Sequence, residues 1–135
     1  MLSPIIALIA WTLIVWVWMY ATRLPAIRAA GIDPNAHIHP GALDQLPAPV
    51  RVVADNYNHL HEQPTVFYAL AFAAHLSGAA DSVNIALAWA YVVLRIVHSF
   101  AQIVLKNVVI RFLVFALSTL MLIIITVRTT IVVAG

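Results

Sequence analysis

Apolar residues fall in long blocks separated by short polar breaks. From Pro4 to Thr22 (PIIALIAWTLIVWVWMYAT) no residue is charged, and Val83 to Val104 and Val108 to Ala134 are apolar runs with few embedded polar groups. A bilayer core about 30 Å thick is crossed by about 20 mostly apolar residues in a helix. All three blocks meet that length. A fourth block, Thr65 to Leu76, is too short alone. It crosses only if its helix also takes in the stretch from Val50 to Pro64, which makes this second helix polar over much of its length. The pattern therefore predicts an all-α integral membrane protein, a four-transmembrane-helix bundle with helices at about residues 4–22, 50–77, 83–104 and 108–134, in one domain over 1–135.

The connections carry helix breakers. Arg23 to Pro49 contains Pro25, Gly31, Pro34, Pro40, Gly41, Pro47 and Pro49, which excludes one continuous helix and leaves room for a short amphipathic piece around Pro25–Ala30. Ser77 to Ser82 is tight, with Gly78 as terminator and Asp81 or Ser82 as the next N-cap. The third turn lies at Lys106 and Asn107. Arg23, Arg28, Arg51, Lys106 and Arg111 share the face of loops one and three, against Arg128 alone on the other. By the positive-inside rule that face is cytoplasmic, with both termini opposite. The basic residues follow the first apolar block instead of preceding it, so it reads as a retained helix and not a cleaved signal. Trp11, Trp16, Trp18 and Tyr20 are expected at lipid-facing or interfacial positions.

Composition agrees: 64 % of the 135 residues are hydrophobic and only 9 % charged. The net charge of +2 is too small and scattered for nucleic acid, and with no cysteine there is no disulfide, thiol nucleophile or thiolate metal ligand. Basic balance and short loops suit a bacterial inner membrane.

Ionisable side chains within a membrane are costly unless paired or set in a wet cavity, which makes them functional candidates. Arg51, Asp55, Asn58 or His59, and Glu62 follow helical spacing along one face of the second helix; Tyr91, Arg95, His98 and Gln102 do so on the third. Both faces lie toward the cytoplasmic side, where a Glu62–Arg95 pair is geometrically reasonable and Arg111 reaches the same depth. Three helices thus converge on one polar site. For Glu62–Arg95, His98 and Asn58, ligand contact and helix-to-helix packing stay open as alternatives. His75, on an apolar turn, reads as structural. Pro64 is expected to kink the second helix and free a backbone carbonyl.

No metal is expected. On a helix, His59 and His61 diverge; His37 and His39 have no third ligand nearby; and the HEXXH spacing is absent. Ser77, Ser82, Ser99 and Ser118 lack a glycine elbow, and the four glycines form no phosphate-cradling loop.

RVVADNYNHLHEQPTVFYAL (Arg51–Leu70) and YVVLRIVHSFAQ (Tyr91–Gln102) resemble the second- and third-helix signatures of the MAPEG superfamily, the membrane-associated proteins in eicosanoid and glutathione metabolism. The resemblance covers most of the chain. It implies a homotrimer in the lipid bilayer, with glutathione in a cytoplasm-facing cleft between subunits and transferase or peroxidase chemistry on a lipophilic small molecule. Carried over, Arg51, Asn58, Glu62, Arg95 and His98 contact glutathione or build its site, and Gln102 holds the position of a glutathione-contacting tyrosine. Arg111 is the catalytic candidate, a cation to lower a thiol pKa. Three departures are evident: Ala54 replaces a second arginine, Glu62 stands one residue beyond the usual Asn-x-x-Glu spacing, and Gln102 replaces the tyrosine. They keep alternatives in view: a non-catalytic scaffold or accessory subunit of a larger membrane complex, or a binder of a lipid or quinone-like amphiphile.

Overall fold

The computed structural model describes residues 1–33, 35 and 40–135, all helix, turn or loop. His37 and His39 lie outside the described residues. The helices are α1 (Leu2–Ala29), α2 (Ala48–His59), α3 (Gln63–Leu76), α4 (Ser82–Phe100) and α5 (Val108–Ala134), with a 3-10 turn at Pro40–Leu43. Three helical stretches are long and apolar enough to cross a membrane: Leu2–Ala29, Ser82–Leu105 and Val108–Ala134.

α1 runs seven residues beyond the expected end at Thr22, straight through Pro25. A proline costs its own N–H and crowds the carbonyl four residues back. That loss lies on a half-exposed stretch, and Thr22 Oγ1 turns back onto the carbonyls of Trp18 and Met19 within the same turn. What stops the helix is Gly31, at φ +65°. There Gly31 N–H donates to Arg28 O and Ile32 N–H to Ile27 O, the paired bonds of a Schellman cap.

The second predicted helix is two helices. α2 ends at His59 and α3 begins at Gln63, with Pro64 in its first turn. Pro64 has no N–H for the carbonyl of Leu60, and its ring excludes that carbonyl from a continuous helix. Thr65 instead bonds Glu62 O through both its N–H and its hydroxyl, at 3.2 and 2.6 Å, and restarts the chain. At 14 residues α3 is about 21 Å long, short of the hydrocarbon core.

α4 starts at Asp81, whose carboxylate accepts from Asn84 N–H at 2.8 Å. It ends in a π-helical turn at Ala101–Leu105 and a left-handed Lys106. Asn107 then caps α5, its Oδ1 accepting from Val109 and Ile110 N–H. At the other end Arg128 clamps α5 to α4, donating to Asn84 Oδ1 at 2.8 Å and pairing with Asp81.

The main core gathers Leu8 and Val15 of α1, Phe67 and Ala71 of α3, Ala88, Tyr91 and Val92 of α4 and Ile125 of α5. Outside it the helices stay greasy: Ile6, Leu13 and Val17 on α1, and Phe112, Leu113 and Ile131 on α5, are exposed. Such continuous apolar surface belongs in lipid or against another subunit, not in water. Trp16 and Tyr20 lie on it as expected, stacked edge to face. Trp11 does not; it turns inward, and its indole N–H donates to Ser99 Oγ of α4.

Candidate functional site

The α4 face predicted from spacing is buried along its length. Tyr91, Arg95, His98 and Gln102 are each at most 4 % exposed. Tyr91 stacks on Phe67, which fixes the ring, and its hydroxyl reaches Gln63 Oε1 at 3.4 Å. Arg95, at 0 % exposure, has one protein acceptor among the described residues: Nη2 donates to His59 O at 3.0 Å. The carbonyl is one left at the end of α2, so the break made by Pro64 provides the acceptor that holds Arg95. Its Nε and Nη1 are buried without a partner. Phe115 of α5 lies across the guanidinium, 5.6 Å from its carbon, a cation–π contact.

The expected Glu62–Arg95 pair is absent. The helix break swings Glu62 to the start of α3, where its side chain is 63 % exposed and Oε2 lies 2.8 Å from His59 Nδ1. That contact is an ion pair when the imidazole is protonated, though it lacks hydrogen-bond alignment. Gln102 also turns away from any cavity shared with Arg95: its Oε1 accepts from Asn56 Nδ2 at 3.2 Å, tying the end of α4 to α2.

The remaining predicted residues are divided by α2. On one side Arg51, Asp55 and Asn58, with Arg23 and Asp44, line a polar cavity of about 200 Å³. Ala54 contributes only a methyl group there, where a second helical arginine was expected, and Arg23 from α1 supplies the other cation. On the opposite side a pocket of about 220 Å³ is lined by His59, His98, Val108, Arg111, Phe112 and Phe115. His59 and His98 meet edge to face at 5.7 Å, and His98 Nδ1 is buried without a partner. His61, in the turn after α2, points elsewhere, its Nδ1 2.9 Å from Tyr57 O, so it shares no centre with His59. Among the described residues no cluster of three or more metal-type ligands occurs.

The family model described as the MAPEG family matches residues 1–131. The chain belongs to the MAPEG family. No curated protein and no solved structure matches it. Membership agrees with the resemblance carried by the α2–α3 and α4 segments, and with three apolar spans it makes this chain an integral membrane protein.

Asn56, Phe112 and Phe115 are not among the residues that the sequence singles out, and His59 is there only as the alternative to Asn58. Asn56 was detectable, since it is the polar residue on the apolar face of α2, between Val53 and Leu60, both buried. The two phenylalanines were not, because on an apolar helix nothing separates a pocket wall from a lipid-facing side chain. Chemically the α4–α5 pocket is a cationic, half-aromatic recess. Arg111 supplies fixed positive charge at the lining while Arg95 lies fully buried against the Phe115 wall, the histidines supply donors or acceptors according to tautomer, and the lining residues include no acid.

Proposed function

We propose that this MAPEG chain is a glutathione-dependent membrane enzyme, transferring the tripeptide to lipophilic electrophiles or reducing lipid hydroperoxides. The observation that carries the reading is Arg95: a wholly buried guanidinium with two unpartnered nitrogens, beside a pocket that already holds Arg111 and two histidines. Burying an unpaired cation is expensive, and a fold keeps one where an anion comes to meet it. A glutathione thiol supplies that anion together with the reacting sulfur. Nearby cations lower a thiol pKa from its usual value near 8.5, and Arg111 is the residue placed for it. The cavity of Arg23, Arg51, Asp44, Asp55 and Asn58 presents two cations and two acids. That matches a tripeptide bearing two carboxylates and an ammonium.

Because α2 stands between these two groups, no one molecule touches both in a single chain, and a homotrimer that juxtaposes the cavities of neighbouring copies is part of the proposal. So are α2 and α3 as a fourth, broken crossing, with both termini on the non-cytoplasmic side of a bacterial inner membrane. Glu62 is outside the core of the site, and Gln102 positions α2 against α4.

The test is turnover. Purified protein in lipid nanodiscs, given glutathione with a panel of lipophilic aryl halides, enones and lipid hydroperoxides, is expected to consume at least one class, with Arg111→Ala reducing the rate at least tenfold. No turnover across the panel would sink the reading. The scaffold reading draws on Gln102 and Ala54, which take polar contacts out of the site; co-purification of a stoichiometric larger membrane partner would favour it.

A further inference from the structure

A thiol that ionises gives up a proton, and an arginine, always protonated, cannot take it. Arg111 therefore accounts for the stability of a thiolate and not for its formation. Two titratable side chains in the same lining have no part in the chemistry so far, His98 and His59. His98 is 2 % exposed, and its Nδ1 is buried with no hydrogen-bond partner among the described residues. Leaving a buried polar atom unpaired is costly, and packing on Phe115 would be served as well by an apolar ring. From His98 the titratable groups lead outward. Its ring meets His59 edge to face at 5.7 Å, and His59 Nδ1 lies 2.8 Å from Glu62 Oε2. Exposure rises along that path, to 34 % for the His59 side chain and 63 % for that of Glu62. A carboxylate is too costly to leave in hydrocarbon, so the surface at Glu62 is wet.

The fold holds this path in place. Arg95 Nη2 bonds His59 O, which fixes the backbone carrying that imidazole, and the break before Pro64 sets Glu62 beside it. The other charges near His98 are cations, Arg95 on its own helix and Arg111 on α5; α1 meets this stretch of α4 through the uncharged Trp11. Among the described residues Glu62 is the acid in contact with the histidines, and it stands at the outer end, so positive charge on the path is drawn outward. We propose that His98, His59 and Glu62 form a proton exit from the pocket to water, serving the glutathione reaction on which this inference rests. As glutathione binds, its S–H bond breaks, the electron pair stays on sulfur beside Arg111, and the proton forms an N–H bond at the bare nitrogen of His98. His59 accepts a proton from His98 and passes one from its Nδ1 to the Glu62 carboxylate, which releases it to solvent. Both imidazoles end neutral, and one proton reaches water for each thiolate formed. At 5.7 Å between ring centres one water bridges the two imidazoles, and the pocket of about 220 Å³ has room for it. The exposed Glu62 side chain turns into line with Nδ1. His98 takes the proton from the reacting atom; His59 and Glu62 act only through it.

The experiment separates the rate of ionisation from its extent. Intact protein in nanodiscs is mixed rapidly with glutathione in weak buffer. A pH indicator follows proton release, ultraviolet absorption follows the thiolate, and the thermal shift with glutathione reports binding and folding. The unaltered protein is expected to release one proton for each thiolate formed. His98→Gln should slow both signals at least about tenfold, since a positioned general base contributes about 10²- to 10⁴-fold, and should leave the final thiolate amplitude in place. Arg111→Ala should lower that amplitude instead. Imidazole in the medium should restore the rate of His98→Ala. His59→Gln, and independently the exposed Glu62→Gln, should slow release in weak buffer and recover the native rate as buffer is added, because buffer then carries the proton. Native rates in His98→Gln, His59→Gln or Glu62→Gln, or a loss that neither imidazole nor buffer relieves, would overturn the relay and leave the glutathione reading standing. Absence of both a thermal shift and a thiolate in the unaltered protein would overturn the two together.

Discussion

Replacing Arg95 with methionine separates a ligand site from a structural lock. Among the described residues the guanidinium makes one hydrogen bond, Nη2 to His59 O, and leaves Nε and Nη1 buried and unpartnered. A hydrogen bond to a charged group contributes about 1.5–3 kcal/mol. Against it stands the desolvation of a buried cation, several kcal/mol per ion, which only good pairing offsets. With no carboxylate paired to Arg95, an apolar side chain of similar length should leave ligand-free stability unchanged or raise it by about 1–4 kcal/mol. Glutathione at 100 times its dissociation constant should stabilise the native protein by about 2.7 kcal/mol, and the variant should lose most of that. The assay is thermal or denaturant unfolding in mild detergent, with and without glutathione, on both proteins. A ligand-free loss of 3 kcal/mol or more with an undiminished glutathione shift would refute the reasoning, because Arg95 would then be holding helices together and not awaiting an anion.

Other outcomes follow from the same geometry. Asn107→Ala removes the side chain that caps Val109 and Ile110 N–H and should cost about 1 kcal/mol in unfolding free energy, with Asn107→Asp close to neutral. Asp81 is held below the usual carboxylate range, first by the Asn84 N–H bond and also by Arg128, against a smaller opposing effect of desolvation. A depressed folded-state pKa means stability that is present above the unfolded value, about 3.9, and lost as pH falls through the folded value; the unfolding midpoint should drop on acidification below about pH 4, and less in Asp81→Asn. Pro64→Ala lets the helix run through residues 60–62, so hydrogen exchange should slow at those amides and the glutathione shift should shrink as His59 O is drawn back into the helix. Gly78, at φ +79° after α3, should lose about 1 kcal/mol or more on substitution by alanine, read from the same unfolding curves.

Much of the architecture follows from the length of apolar runs, because a bilayer demands it: α1, α4 and α5 lie where the long apolar blocks lie. The α4 site face was equally legible, since Tyr91, Arg95, His98 and Gln102 keep one helical phase and burial follows phase. The second helix was harder. Pro64 announced a disturbance, but whether a proline kinks a helix or breaks it depends on what replaces the lost bonds. Here Thr65 rebuilds the backbone at Glu62 and Arg95 takes up His59 O. That break moved Glu62 out of register with Arg51, Asp55 and Asn58, so a periodicity carried across it predicted a Glu62–Arg95 pair that does not form. Likewise α1 outran Pro25, because proline fixes only its own φ near a helical value and Gly31 supplied the actual stop. Pocket walls such as Phe112 and Phe115 depend on which faces of two helices meet, and sequence spacing within one helix carries no information about that.

The central claim is that the Arg95–Arg111 recess receives glutathione with its sulfur ionised. Ultraviolet difference absorption of glutathione bound to the nanodisc protein at neutral pH tests it directly. The account predicts a thiolate band that titrates well below the free thiol and disappears in Arg111→Ala. Bound glutathione whose sulfur stays protonated at neutral pH, or a thiolate band indifferent to Arg111, would contradict it.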